Sequence, residues 1–160
     1  MIEMYACARD MFEAARDARR DAAGIERLLA EMRSRDDVRA AGLGGRRPSG
    51  VATDGRDGTC ARLDAEAVYT RRLSADRALL DEVGRVVHGS RPSGGLASLL
   101  GPSKAAVVHW RCIEGESWRR TSELVCFSES WCRDAYDQAC DLVDALGAER
   151  VAEGEGMAEG

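Results

Sequence analysis

Three features of the 160-residue chain predict an all-α fold. Apolar residues make up 44 %, leaning on alanine with aromatics at only 5 %, and there are just three prolines. Ala, Arg, Glu and Asp in such excess favour helix. The scattered Ile, Val and Thr residues never alternate over a run bounded by hairpin signals, so strands have little support. Two long stretches instead repeat apolar residues at helical spacing. A chain of this length fits one ordinary domain, or a small domain with an extended appendage, and excludes a large barrel or a two-domain enzyme.

The first stretch runs Met4, Ala8, Met11, Ala15, Ala18, Ala22, Ile25, Leu29 and Met32 at alternating steps of 4 and 3, a heptad seam. Arg9, Asp10, Glu13, Arg16 and Asp17 lie between these positions as a solvated, mixed-charge face. Gly24 inside the seam costs about 1 kcal/mol of helix stability relative to alanine. Residues 42–58 hold six glycines and a proline and predict a flexible linker. A second helical pattern covers residues 60–88, with Ala65, Val68, Tyr69, Leu73, Leu79, Leu80, Val83, Val86 and Val87 on one stripe. The simplest arrangement is a coiled-coil-like antiparallel hairpin over residues 1–90. In it Ile25, Leu29 and Met32 meet Leu79, Leu80 and Val83, and the thin hairpin is expected to pair with a second copy as a homodimer.

Gly89 to Gly95 predicts a break, after which Leu96, Leu99 and Leu100 suit a short helix. Pro102 starts another helix, which runs to about Glu114 and stops at Gly115. Ser117 and Ser128 are placed to cap two further helices, and Gly147 ends the last. Residues 96–147 thus form a second domain, and the acidic, glycine-rich tail 148–160 is expected to be disordered.

Charge and residue usage exclude several functions. The net charge of −5, with Lys104 the only lysine, rules out a wholesale polyanion binder, so any nucleic-acid contact is local. No apolar run approaches the roughly 18 residues of a membrane span, and the N-terminus carries charge from Glu3 onward without an apolar leader core. A cytoplasmic protein without membrane contact is expected. The six cysteines lack paired C-x-x-C spacing, so free thiols without metal are expected, with Cys112, Cys126, Cys132 and Cys140 as small packing residues. No G-x-S-x-G, Gly-Lys-Ser/Thr or H-E-x-x-H is present, and His88 and His109 lack a matched nucleophile or carboxylate. The chain is therefore not expected to be an enzyme: it offers no catalytic residue and no cofactor site.

The informative stretch lies between Gly115 and Leu146. Ser117 to Val125, Cys126-Phe127 and Ser128 to Leu146 have the spacing of a capped short helix, a tight turn and a longer helix, as in a helix-turn-helix. Val108-His109-Trp110-Arg111-Cys112-Ile113-Glu114-Gly115-Glu116-Ser117-Trp118 resembles the L-x-L-R-Y-x-x-G-x-S-W stretch of bacterial sigma-factor region four. The same stretch occurs in phage transcriptional regulators of the ArpU and RinA type. Phe127-Ser128 sits where those proteins carry Tyr-Ser or Val-Ser before the recognition helix, and Ala139 and Val143 fall on its apolar positions. Thr121-Ser122 replaces the family's Ile-Ala, Cys112 its tyrosine and Cys126 its turn glycine. At Cys126 a left-handed turn would carry strain of roughly 1 to 2 kcal/mol.

The resemblance implies a phage or prophage transcriptional regulator that binds double-stranded DNA and touches RNA polymerase. Ser128, Glu129, Ser130 and Arg133 would be the readers, with Arg133 on a base or a phosphate and Trp131 either packing or touching DNA, and Lys104, Arg119 and Arg120 would lie on phosphates. Against this, Arg119, Arg120, Arg133 and Arg150 face seven carboxylates between Ser117 and Arg150, so the helix expected to read DNA is acidic. Two alternatives remain open: a small terminase-like DNA-packaging protein, and a helical protein-interaction module that does not bind DNA. Arg111 is expected as an ion-pair partner, and Trp110 and Trp118 as core wedges.

Overall fold

A computed structural model describes residues 5–42 and 55–154, with side chains for 5–35 and 58–154. Among the described residues every regular element is helical, as composition and periodicity predict. In chain order these are α1 (Ala8–Gly42), α2 (Gly55–His88), α3 (Gly95–Leu99), α4 (Pro102–Val108), a π-helical turn (His109–Ile113), α5 (Trp118–Val125), α6 (Glu129–Leu146) and α7 (Ala148–Glu153). Pro102 sits in the first turn of α4, where its missing N–H has no intrahelical partner to lose.

The described residues fall into two compact units. One joins those up to Arg20 with those from Asp76 onward, and the other is 21–75. The first is built around Ala8, Met11, Phe12 and Ala15 of α1 and Val83, Val86 and Val87 of α2. Leu96, Val107, Val108, Cys112, Tyr136, Ala139, Val143 and Val151 complete its core. Phe12 and Tyr136 are fully buried, with ring centroids 6.0 Å apart at 54°. Burial of each such large side chain is worth about 1.5 to 3 kcal/mol. In the second unit, Ala22, Ile25 and Leu29 of α1 cluster with Leu73 of α2, and Tyr69 packs alongside. The ion pairs Arg72–Asp21 and Arg33–Glu66 flank that cluster.

Several expectations from the sequence are corrected. Ile25 and Leu29 pack with Leu73, whereas Leu79, Leu80 and Val83 belong to the other core. An apolar stripe on each of two long helices permits many registers. The stripe of α2 is bulkiest from Leu79 to Val87, and these residues join the deeper core formed with the short C-terminal helices. For the same reason, a domain boundary near residue 90 does not separate the folding units, since the starts of α1 and α6 share one core.

The break after α2 is a tightly packed junction. The Ser90 N–H donates to the Ala152 carbonyl at 2.7 Å, and a Cβ added at Gly94 would lie 2.2 Å from that oxygen. The tail is ordered as α7 through Glu153, because Ala148, Val151 and Ala152 are apolar at helical spacing and buried. Helix α2 already begins at Gly55, inside the expected linker 42–58. The rest of that linker (43–54), the seam position Met4 and the end of the tail (155–160) lie outside the described residues. Val68 is exposed on α2 despite its place in the stripe, and Cys126 is exposed in a turn where it serves no packing role.

Candidate functional site

The segment from Ser117 to Leu146 folds as its capping residues direct. The Ser117 hydroxyl accepts the Arg120 N–H at 3.2 Å, satisfying an orphan donor in the first turn of α5. Helix α5 ends at Cys126, whose backbone is left-handed at φ 61° and ψ 36°. The N–H groups of Cys126 and Phe127 both donate to the Ser122 carbonyl, so the turn is short and closed despite the absence of glycine. Ser128 then caps α6 by accepting the Trp131 N–H at 3.2 Å. Cys126 is the only described non-glycine residue with positive φ, so the strain expected at this substitution is present.

Tyr136 and Trp118 fix how α5 meets α6. Trp118 stands edge-on to the buried Tyr136 ring, with centroids 5.5 Å apart at 83°. The guanidinium of Arg111 lies 4.5 Å over the Trp118 ring, and that of Arg133 lies 5.4 Å from its centroid. Arg111 also donates to the Glu116 carbonyl at 2.8 Å. Arg111 is thus a buried packing residue held by a ring and a backbone oxygen, where an ion pair was expected, and it is not exposed to a phosphate. Trp118 is the expected wedge. Trp110 instead stands half-buried beside His109, edge-on with centroids 5.3 Å apart.

The residues expected at DNA divide into two places. Ser128, Glu129, Ser130, Trp131 and Arg133 share the first turns of α6, all exposed except the half-buried Trp131. Arg119 and Arg120 lie on the first turn of α5, directly after Trp118, whose ring Arg133 approaches. Lys104 sits apart on α4 and donates to Gln138 at 2.7 Å. At about 1.5 Å per residue, Gln138 is some 10 Å along α6 from Trp131.

Every one of these cations has an intramolecular partner. Arg119 and Arg120 both reach Glu123, at 3.3 and 3.1 Å, and Arg133 reaches Glu129 at 3.4 Å. The guanidinium groups of Arg120 and then Arg119 hold the Glu123 carboxyl below its usual pKa. These pairs are exposed and screened by water, so a phosphate can replace the carboxylate at little cost.

The acidity of α6 has a structural explanation that the sequence did not show. Asp134, Asp137, Asp141 and Asp144 recur at steps of 3 and 4 along one face. Asp137 accepts from Arg9 at 2.7 Å. Asp144 accepts the Ala8 N–H at 2.6 Å, placing a carboxylate at the positive end of α1. Two of the four acids therefore dock the start of α1. Sequence reasoning also missed a stack formed by Phe127 and Trp131, whose centroids are 3.9 Å apart at 18°, with Phe127 43 % exposed. Their spacing of four residues across a helix cap was the available signal.

The chain matches no family model, and neither curated proteins nor solved structures yield a significant match. Among the described residues no helix is long and apolar enough to cross a membrane.

Proposed function

We propose that the chain is a DNA-binding transcriptional regulator of the phage or prophage type, with α5 and α6 as a sigma-region-four-like helix-turn-helix. The observation that carries this reading is the α5–turn–α6 unit itself. Two serine caps and a closed left-handed turn hold two helices in contact, and the exposed N-terminal turns of the second carry Ser128, Glu129, Ser130 and Arg133. A helix-turn-helix presents these turns to the major groove. The docking of α1 onto Asp137 and Asp144 adds support, because it occupies acids that would otherwise repel a duplex. In this reading Arg119 and Arg120 exchange Glu123 for phosphate, and Arg133 exchanges Glu129. The region before residue 90 acts as a helical hairpin that forms a homodimer or touches RNA polymerase.

Fluorescence anisotropy with a labelled random-sequence duplex at two salt concentrations tests this. Arg133→Ala should lose about 1 to 3 kcal/mol of binding. Asp141→Lys should tighten binding and steepen its salt dependence, and it spares the contact that Asp137 makes with Arg9. Absence of binding by the parent chain at low salt, with no gain from Asp141→Lys, rejects the proposal. It would favour the protein-interaction module, for which the exposed Phe127–Trp131 stack is the supporting observation.

A further inference from the structure

Away from α5 and α6, the two histidines of the chain converge. His88 is the last residue of α2, and His109 opens the π-helical turn after α4. The packed glycine junction at Gly89, Gly94 and Gly95 fixes the backbone that follows His88. The wide π turn, a local geometry found often at functional sites, sets the direction of His109. As a result His88 Nε2 and His109 Nδ1 face each other at 3.1 Å, with ring centroids 5.0 Å apart and planes at 64°.

We propose that His88 Nε2 and His109 Nδ1 form a two-histidine site for a first-row divalent cation such as Zn²⁺, with water completing the coordination. At metal–nitrogen bonds of about 2.05 Å, their separation subtends about 98° at a shared ion, between the octahedral and tetrahedral angles.

A carboxylate stands near the second nitrogen of one ring, where metal-bound imidazoles commonly find one. Glu114 Oε1 lies 3.9 Å from His109 Nε2, beyond direct hydrogen-bond reach, and Arg19 holds Glu114 Oε2 at 3.2 Å. Imidazole suits zinc, copper and nickel over calcium or magnesium. No group of three or more His, Cys, Asp or Glu side chains converges among the described residues, so the two imidazoles are the protein ligands and water fills the remaining positions. The bound ion would staple the end of α2 to the π turn. This inference stands whether or not α5 and α6 bind DNA.

Because the chain has only two histidines, a long-range ¹⁵N–¹H spectrum of the full chain reports these two imidazoles and no others. Titration with Zn²⁺ alone should move His88 Nε2 and His109 Nδ1 together and saturate at one ion per chain. His88→Gln, at an exposed position, should weaken binding at least about tenfold, and Glu114→Gln about tenfold with unchanged stoichiometry. Movement of one ring only, movement of neither at saturating Zn²⁺, or full calorimetric affinity in the His88→Gln/His109→Gln double variant overturns the site. The last result would assign the ion to the thiols.

Discussion

The two units are made in part from the same two helices, yet they are packed very differently. The unit formed by the described residues up to Arg20 and from Asp76 onward closes around Phe12, Met11, Tyr136 and Val83, all at 1 % exposure or less. Among its residues with described side chains, the 21–75 unit buries Ala22, Ile25, Leu29 and Leu73, each still 1 to 8 % exposed, and leaves Leu28, Leu63 and Val68 in water. Heptad periodicity is shared by both. What differs is the number of directions from which side chains arrive. A two-helix seam offers one apolar face to each partner, whereas the short helices α3 to α7 enclose the other core on further sides. Periodicity therefore predicts which residues of a helix turn inward, and the partners available to surround them decide how much stability follows.

This difference has measurable consequences. The largest is expected in the enclosed core, where Phe12→Ala should cost about 3 to 5 kcal/mol in urea or thermal unfolding. Leu29→Ala in the 21–75 unit should cost about 2 kcal/mol, the low end for leucine, because a thin seam can collapse around the gap. Equal losses would break the distinction.

Thiol accessibility sharpens it. Cys60 in the 21–75 unit and Cys126 at the α5–α6 turn are exposed, whereas Cys112, Cys132 and Cys140 are buried. Burial pushes the Cys112 thiol up, and that of Cys140 up to about 11. Iodoacetamide should therefore label Cys60 and Cys126 of the native chain promptly, and Cys112, Cys132 and Cys140 only after unfolding, as intact mass would show.

Two substitutions should stabilise. The Thr121 hydroxyl is fully buried, and its oxygen has no hydrogen-bond partner among the described residues, so Thr121→Val should gain about 1 kcal/mol. A Cβ added at Gly24 meets nothing within 4 Å. Gly24→Ala should therefore gain up to about 1 kcal/mol from helix propensity, provided the 21–75 unit unfolds together with the rest. A gain visible at Thr121 and absent at Gly24 would show that the two units melt separately.

The helical class, the caps at Ser117 and Ser128 and Pro102 at the start of α4 could all be read from local patterns, whereas the inward positions of Ala139 and Val143 came from the resemblance. Such patterns depend on neighbours a few residues apart, which the sequence displays directly. The register of α1 against α2 could not be read, because both stripes tolerate sliding. Phe12 lies one residue off the heptad seam, and its burial depends on core partners distant in the chain, such as the Tyr136 ring 124 positions away. Likewise Asp137 and Asp144 read as a charge opposed to DNA until Arg9 and Ala8 are seen to meet them. The α5–α6 candidate site was legible as a spacing. Its intramolecular ion pairs were not read from the sequence although they lie at i, i+3 and i, i+4 spacing, and neither was the separate position of Lys104.

The central claim is that the first turns of α6 form the functional surface. The most direct test is to titrate ¹⁵N-labelled chain with a short duplex and follow the backbone amides. The account predicts that the largest shifts fall on Ser128 to Arg133, with smaller ones at Trp118 to Arg120 and none in residues 21–75. Shifts centred in 21–75, or none anywhere at a DNA excess in low salt, would contradict it.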